Sequence, residues 1–475
     1  MRLAAVFLLV ALAACNENVG HLPPPMDRFF YPGGLALTPV AGGNQALLVA
    51  SANYDLHYDR DTGSTLLSVD PRTYDPAAGT GGSVGRTDGA LVKFGEGAQL
   101  GSFAGPVAVA NAEVTCPGLT GGPQAFVVSR YTRTLYRFPI GPDGSVESCS
   151  GPTCELGLSG ELLDPAPLGI ACRADGLRRS LFVSYMRGPQ IGPIAAGTAW
   201  LTEFDLGDLI APSRTFPLAL GPIGDMAYEA LTDRLYAVGR FAGLTAPLFI
   251  LDLPPCSSRD PTTCPTPRLK TVELFGSLGG AELVGIALSN PRLDPSNPSR
   301  YLPRTAYIAA RVYDEGYALA IRSRPNFDVG GALMVVDLYE DVLGQPTARV
   351  RSVVPIGLGA GSVRVLPPRP GLADLVVVTS TGDGSIQVYD DEVGALVRVV
   401  SIDQLTGAPE AGHAPFQTAV EDRGAEALVY IASFRDWTVG VLRVPLADPT
   451  SADLLRHPAG TPLQGTPMRI GSPKP

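Results

Sequence analysis

A unit that returns seven times along the chain restricts its fold more than any single motif does. Each unit opens with a short apolar run holding small residues: Gly34-Leu35-Ala36-Leu37, Pro106-Val107-Ala108-Val109, Gly169-Ile170-Ala171, Asp225-Met226-Ala227, Gly285-Ile286-Ala287, Ser362-Val363-Arg364-Val365 and, more loosely, Gln417-Thr418-Ala419-Val420. A stronger apolar run follows after a turn, as at residues 46–51, 235–239 and 428–433, and then a third that often ends in Asp, as at 65–70, 333–337 and 386–390. A fourth, weaker run, such as 349–356 or 396–402, completes most units. Short runs rich in Val, Leu, Ile and Tyr are strand signals.

Punctuation points the same way. Glycine (55) and proline (45) make up 100 of 475 residues, too many for long helices and suited to short strands joined by turns. Four strands per unit, at spacings of roughly 56 to 77 residues, predict an all-β chain: a seven-bladed β-propeller of four-stranded antiparallel blades, some carrying insertions. Two or three sandwiches give no reason for sevenfold self-similarity, and a solenoid repeat would be shorter. The small residues of each opening run have a physical role in this arrangement, because inner strands converge on a narrow channel where large side chains collide.

Charge and composition exclude other classes. A chain that is 45% hydrophobic and 17% charged can bury a large core, which rules out disorder. A formal charge of −10 is unsuited to a phosphate backbone, so no nucleic-acid partner is expected.

The first residues form a short positive region and an apolar stretch too brief to span a bilayer. At its end, Leu12-Ala13-Ala14-Cys15 resembles the lipobox of bacterial lipoproteins. That resemblance implies that residues 1–14 are a signal peptide and that Cys15 is lipidated, becoming a membrane anchor. Asn16 in place of Asp implies the outer membrane or cell surface. An ordinary signal peptide with an unpaired Cys15 is the other reading. Residues 15–28, with Pro23-Pro24-Pro25, are expected to be a stiff tether, and residues 29–475 a single propeller domain.

With Cys15 given to lipid, six cysteines remain, an even number that favours disulfides in an exported chain. Of the pairings open to them, Cys149 with Cys154, Cys256 with Cys264 and Cys116 with Cys172 are favoured, the first two closing short loops. A zinc site would want tight CxxC pairs or nearby histidines, and neither occurs.

The runs Leu47-Leu48-Val49-Ala50-Ser51-Ala52-Asn53-Tyr54-Asp55 and Ile431-Ala432-Ser433-Phe434-Arg435-Asp436-Trp437-Thr438-Val439 resemble those of YVTN-type and lactonase-like seven-bladed propellers, especially secreted lipoprotein members. The likeness spans nearly the whole mature chain and specifies fold better than function. It implies an extracytoplasmic binding or scaffold module for a protein, glycan or small anionic ligand, or alternatively a lactonase-like hydrolase working at the channel mouth.

In this topology the loop between second and third strands lies beside the channel mouth. Units one, three and five carry long versions there, at 53–64, 186–198 and 311–331, holding Tyr54, His57, Tyr58, Tyr313, Tyr317 and Phe327. Long loops on a rigid scaffold are the usual place for binding residues. Arg130, Arg240, Arg311 and Arg435 follow the second strand in four units, and guanidinium groups sharing a face could hold a carboxylate or phosphate. Pairing with local acids is the competing reading, in a chain whose basic residues are nearly all arginine. Asp59-Arg60-Asp61-Thr62-Gly63-Ser64 lacks the third acid and the distal Glu of a calcium loop and reads as a solvated turn. No GxSxG, HExxH or Walker A fingerprint occurs, so no catalytic residue, metal or cofactor is expected.

Overall fold

The computed structural model describes residues 22–71, 93–110, 122–149, 154–158, 167–175, 178–185, 199–206, 208–218, 223–239, 247–253, 265–274, 281–312, 330–401, 415–435, 437–455 and 469–470. The repeated runs form seven antiparallel sheets, each a meander from an inner to an outer strand. The inner strands are Pro32–Val40, Ala104–Ala110, Pro167–Asp175, Ile223–Glu229, Ala281–Leu288, Ala360–Val365 and Pro415–Asp422, and each contains one of the small-residue runs. Each packs on the inner strands of the two flanking blades, the seventh on the first, so the sheets close into a ring. The chain is a seven-bladed β-propeller. Among the described residues no helix is long and apolar enough to cross a membrane.

Small residues open each unit because adjacent inner strands nearly touch. A Cβ at Gly285 would lie 2.8 Å from the carbonyl oxygen of Gly361 in blade 6, and one at Gly224 would lie 2.7 Å from that of Leu283 in blade 5. Both approaches are closer than real side chains tolerate.

The second and third strands are apolar without alternation because both of their faces are covered. Leu375–Ser380 and Ser385–Asp390 of blade 6 are buried at every position, sandwiched between blades 5 and 7. The core is therefore seven slabs, one per seam, and no single centre exists. At about 1.5 to 3 kcal/mol for each fully buried large aliphatic or aromatic side chain, every seam carries the ring.

Among the described residues no strand is exchanged between the first and last blades. The outer edge of blade 7 is completed by Asp453–Leu454 and Arg469–Ile470, which both pair with Thr438–Pro445. Among the described residues the first and last blades meet in one apolar cluster: Phe29, Leu35, Leu47 and Leu67 meet Leu428, Tyr430, Val439 and Val441.

Two departures from regularity matter. Blade 5 carries a hairpin, Leu293–Asp294 with Asn297–Tyr301, inserted between its first two strands. Its outer strands, Gly330–Glu340 and Pro346–Ile356, are longer than those of the other blades on average. Cys149 and Cys154 are joined by a disulfide, their Cα atoms 5.7 Å apart. Cys172 is also disulfide-bonded, to a partner outside the described residues. Cys15, Cys116, Cys256 and Cys264 lie outside them as well.

Candidate functional site

Loops between second and third strands, and links from one blade's outer strand to the next inner strand, share the face called upper here. On it, blades 7, 1 and 2 bring a set of aromatic rings together. Construction starts from Asn53, whose backbone is left-handed (φ 42) and whose side chain is buried. Its Nδ2 donates to Ser102 Oγ (2.7 Å) and to the Tyr58 carbonyl (3.2 Å), while its Oδ1 accepts the Tyr58 N–H (3.1 Å). The loop that follows is closed by Asp59, whose Oδ1 accepts the N–H groups of Asp61 (2.9 Å) and Thr62 (3.0 Å). This is the solvated turn expected of Asp59 to Ser64, with its carboxylate used by its own backbone.

That loop is fastened to its neighbours by backbone bonds. Ala52 N–H donates to Tyr31 O (3.1 Å), Phe103 N–H to Ala52 O (2.6 Å), and Tyr131 N–H to Ser102 O (3.3 Å). The side chains projected from this frame form a continuous set. Tyr54 packs on Phe103 (centroids 5.7 Å), Phe434 (5.3 Å) and Tyr31 (6.2 Å). Tyr31 in turn meets Phe434 (5.1 Å) and Trp437 (5.4 Å), Phe103 meets Tyr131 (6.1 Å), and Phe416 joins through Phe434 (5.9 Å). Arg130 lies over the Phe103 ring at 5.9 Å, a cation–π contact.

Three of these aromatic residues, Tyr31 (φ 44), Phe103 (φ 57) and Trp437 (φ 62), hold a left-handed backbone that bulky residues rarely adopt. Register shows what is unusual about two of them. Pro32, Ala104 and Ala360 occupy equivalent ladder positions, so Tyr31, Phe103 and Gly359 are equivalent too, each just before an inner strand. Blade 6 fills that position with glycine (φ 68), the residue that adopts it without steric cost. Blades 1 and 2 put large rings there, at a cost of order 1 to 3 kcal/mol each. All three strained rings are half-buried and pack against other rings of the set.

Tyr31 donates its hydroxyl proton to Asp55 Oδ2 (3.0 Å). Burial first, then the Asp55 hydrogen bond and charge, push its phenol up to about 12, so it stays a neutral donor at physiological pH. His57 packs edge-on against Tyr58 (5.0 Å), which itself rests on Phe30 (4.9 Å).

Of the residues singled out in the sequence, Tyr54 and Arg130 belong to this set, His57 flanks it, and exposed Arg435 adjoins Phe434. Arg311 stands apart in blade 5. Its Nε donates to the Ala360 carbonyl (3.0 Å) and its Nη1 lies 3.8 Å from buried Glu282, so it ties blade 5 to blade 6. Arg240 and Tyr313 lie outside the described residues. Sequence reasoning missed Tyr31, Phe103, Phe416 and Trp437 as site residues. Aligning the blades on their small-residue runs exposes the first two of these, since an aromatic residue stands where blade 6 has Gly359.

No family model and no curated protein matches the chain. Among solved structures it is similar to a protein from Lactobacillus plantarum, with 13% identity, a TM-score of 0.43, and 77% of this chain and 82% of that one covered. It is also similar to Sqt1 from Chaetomium thermophilum bound to the N-terminus of the ribosomal protein L10, with 13% identity, a TM-score of 0.45, and 91% and 88% covered. A third is the Cps50 (Swd1) β-propeller domain of Myceliophteria thermophila, at 14% identity and a TM-score of 0.32, with 60% and 69% covered.

Proposed function

We propose that this chain is an exported, lipid-anchored propeller acting as a binding or scaffold module. Its upper aromatic–arginine face is the surface that meets a protein, glycan or small anionic ligand outside the cytoplasm. One observation carries the reading: large rings occupy strained backbone positions on a single face, and Tyr54 there is 55% exposed. Tyr, Trp and Arg are the side chains that dominate binding hot spots, because they offer large, stiff contact area with polar tips. The anchor is Cys15, whose acyl chains each contribute about 0.8 kcal/mol per buried methylene and hold an otherwise water-soluble fold at a membrane.

Two experiments test this. A photo-crosslinking residue at position 54 captures partners in intact envelopes that the same residue at exposed Val399, on the outer strand of blade 6, does not. Equal capture at both positions overturns the assignment of the face. Cys15→Ala moves the protein from the membrane to the soluble fraction, and unchanged fractionation overturns the anchor.

A further inference from the structure

We infer that the bilayer surface carrying the anchor is itself the partner of the upper aromatic face. This goes beyond the reading above by naming lipid in place of a protein, glycan or small anionic ligand, and rests on it both for the face and for Cys15.

The first support is where the chain joins the fold. Leu22 forms a parallel bridge with Tyr58, and Asp59 N–H donates to the Leu22 carbonyl (2.9 Å), so the tether meets the ring on the loop that bears Tyr54. Leu22 lies only seven residue steps after Cys15. Fully extended they span about 25 Å, so the upper face, and not the lower one, is held against the lipid. A soluble partner has to enter a gap no taller than that, whereas the bilayer is already there.

The second support is the chemistry of the face. Tyr54 and Tyr131 are 55% and 38% exposed, backed by the half-buried rings of Phe103, Phe434 and Trp437. Tyr and Trp settle at the headgroup level of a bilayer, with the ring in the apolar boundary and the polar tip in water. Exposed Arg435 can lay its stem on that boundary and reach phosphate oxygens. Exposed Asp55 and Asp61 offset the charges of exposed Arg60 and Arg435, so ring burial, and not net attraction to anionic lipid, drives the contact. Such a contact is insensitive to salt.

The test uses the exported chain carrying Cys15→Ala, in which no acyl chain contributes. It is expected to float with phosphatidylcholine vesicles at low and high salt alike, and Tyr54→Ser with Tyr131→Ser to lower its partition by about tenfold. Tyr54→Trp, which keeps a ring, retains flotation, which separates loss of the ring from loss of the fold. Brominated phosphatidylcholine quenches tryptophan emission in the parent, and Trp437→Phe removes that quenching. Absence of flotation, flotation unchanged by the double substitution, or quenching that survives Trp437→Phe each overturns the inference. If the Cys15→Ala chain does not float but position 54 still crosslinks a protein, the bilayer is not the partner and the binding face stands. If neither occurs, both readings fall.

Discussion

On the lower face, between blades 3 and 4, Arg173 is wholly buried: its Nε donates to Asp233 Oδ1 (2.8 Å), its Nη2 pairs with Asp233 Oδ2, and its Nη1 lies 3.7 Å from buried Glu203. Glu203 is held in turn by Arg214 (2.6 Å). Between blades 5 and 6, Asp374 accepts from Asn290 Nδ2 (2.7 Å), and the Tyr307 hydroxyl donates to Asp391 Oδ2 (2.9 Å), which Arg351 also binds. On the upper face, by contrast, Tyr54 and Tyr131 stand exposed, and the half-buried rings of Tyr31, Phe103 and Trp437 sit on left-handed backbone. Lower-face charged and polar groups pair with one another, Arg173 with Asp233 across one seam and Asn290 with Asp374 across another. The upper face combines rings in costly backbone conformations with open apolar area at Tyr54 and Tyr131.

The sharpest way to break this contrast is Arg173→Met, which leaves Asp233 without its guanidinium and Glu203 with one arginine fewer. Removing one partner of a buried ion pair costs about 3 to 5 kcal/mol, read as a fall in the denaturant midpoint. A loss below about 1 kcal/mol would show that the lower network does not hold the seam.

Leu47→Ala tests how much the packing between the first and last blades contributes to the ring. Leu47 is wholly buried in that seam, and the cavity costs about 2 to 5 kcal/mol by chemical denaturation. An unfolding transition that stays cooperative shows the seam to be one of seven equal ones, while an early separate transition shows it to be the weakest.

Phe103→Gly is expected to behave differently from either. Relief of the left-handed backbone offsets the lost ring contacts, so stability changes by less than about 1 kcal/mol while contact through the upper face is lost. A loss of several kcal/mol would make Phe103 a structural residue and remove the contrast between the faces.

The smallest effect is a change of slope. Burial, the largest cause, holds the Asp374 carboxyl above the usual carboxylate range, against the hydrogen bonds from Asn290 and Tyr307. The folded state therefore keeps this proton more readily than the unfolded one, and the group's contribution to stability falls as pH rises from about 4 through its raised value. Asp374→Asn flattens that part of the stability–pH curve. A variant whose curve rises or falls in parallel with the parent's places the pH dependence elsewhere.

The fold was legible because its signals are local. Strand runs, small residues before each second run and glycine turns such as Gly382-Asp383-Gly384 all act within a few residues, and the register confirms their order. The site was legible only in part. Tyr54, His57 and Arg130 sit where loop reasoning put them, whereas Arg311 is turned to Glu282 and the Ala360 carbonyl, contacts that depend on how blade 5 meets blade 6. Tyr31 and Phe434 are about four hundred residues apart, so no local pattern could join their rings.

By itself the sequence determined the repeating unit, its count and the side chains that face each seam, because strand periodicity and steric crowding near an axis are written in neighbouring residues. Only closure of the ring decided which distant loops share a pole. Bringing blade 7 against blade 1 places Phe434 and Trp437 beside Tyr31, and the hydrophobic gain of the whole seam, not any preference of those three residues, sets that proximity.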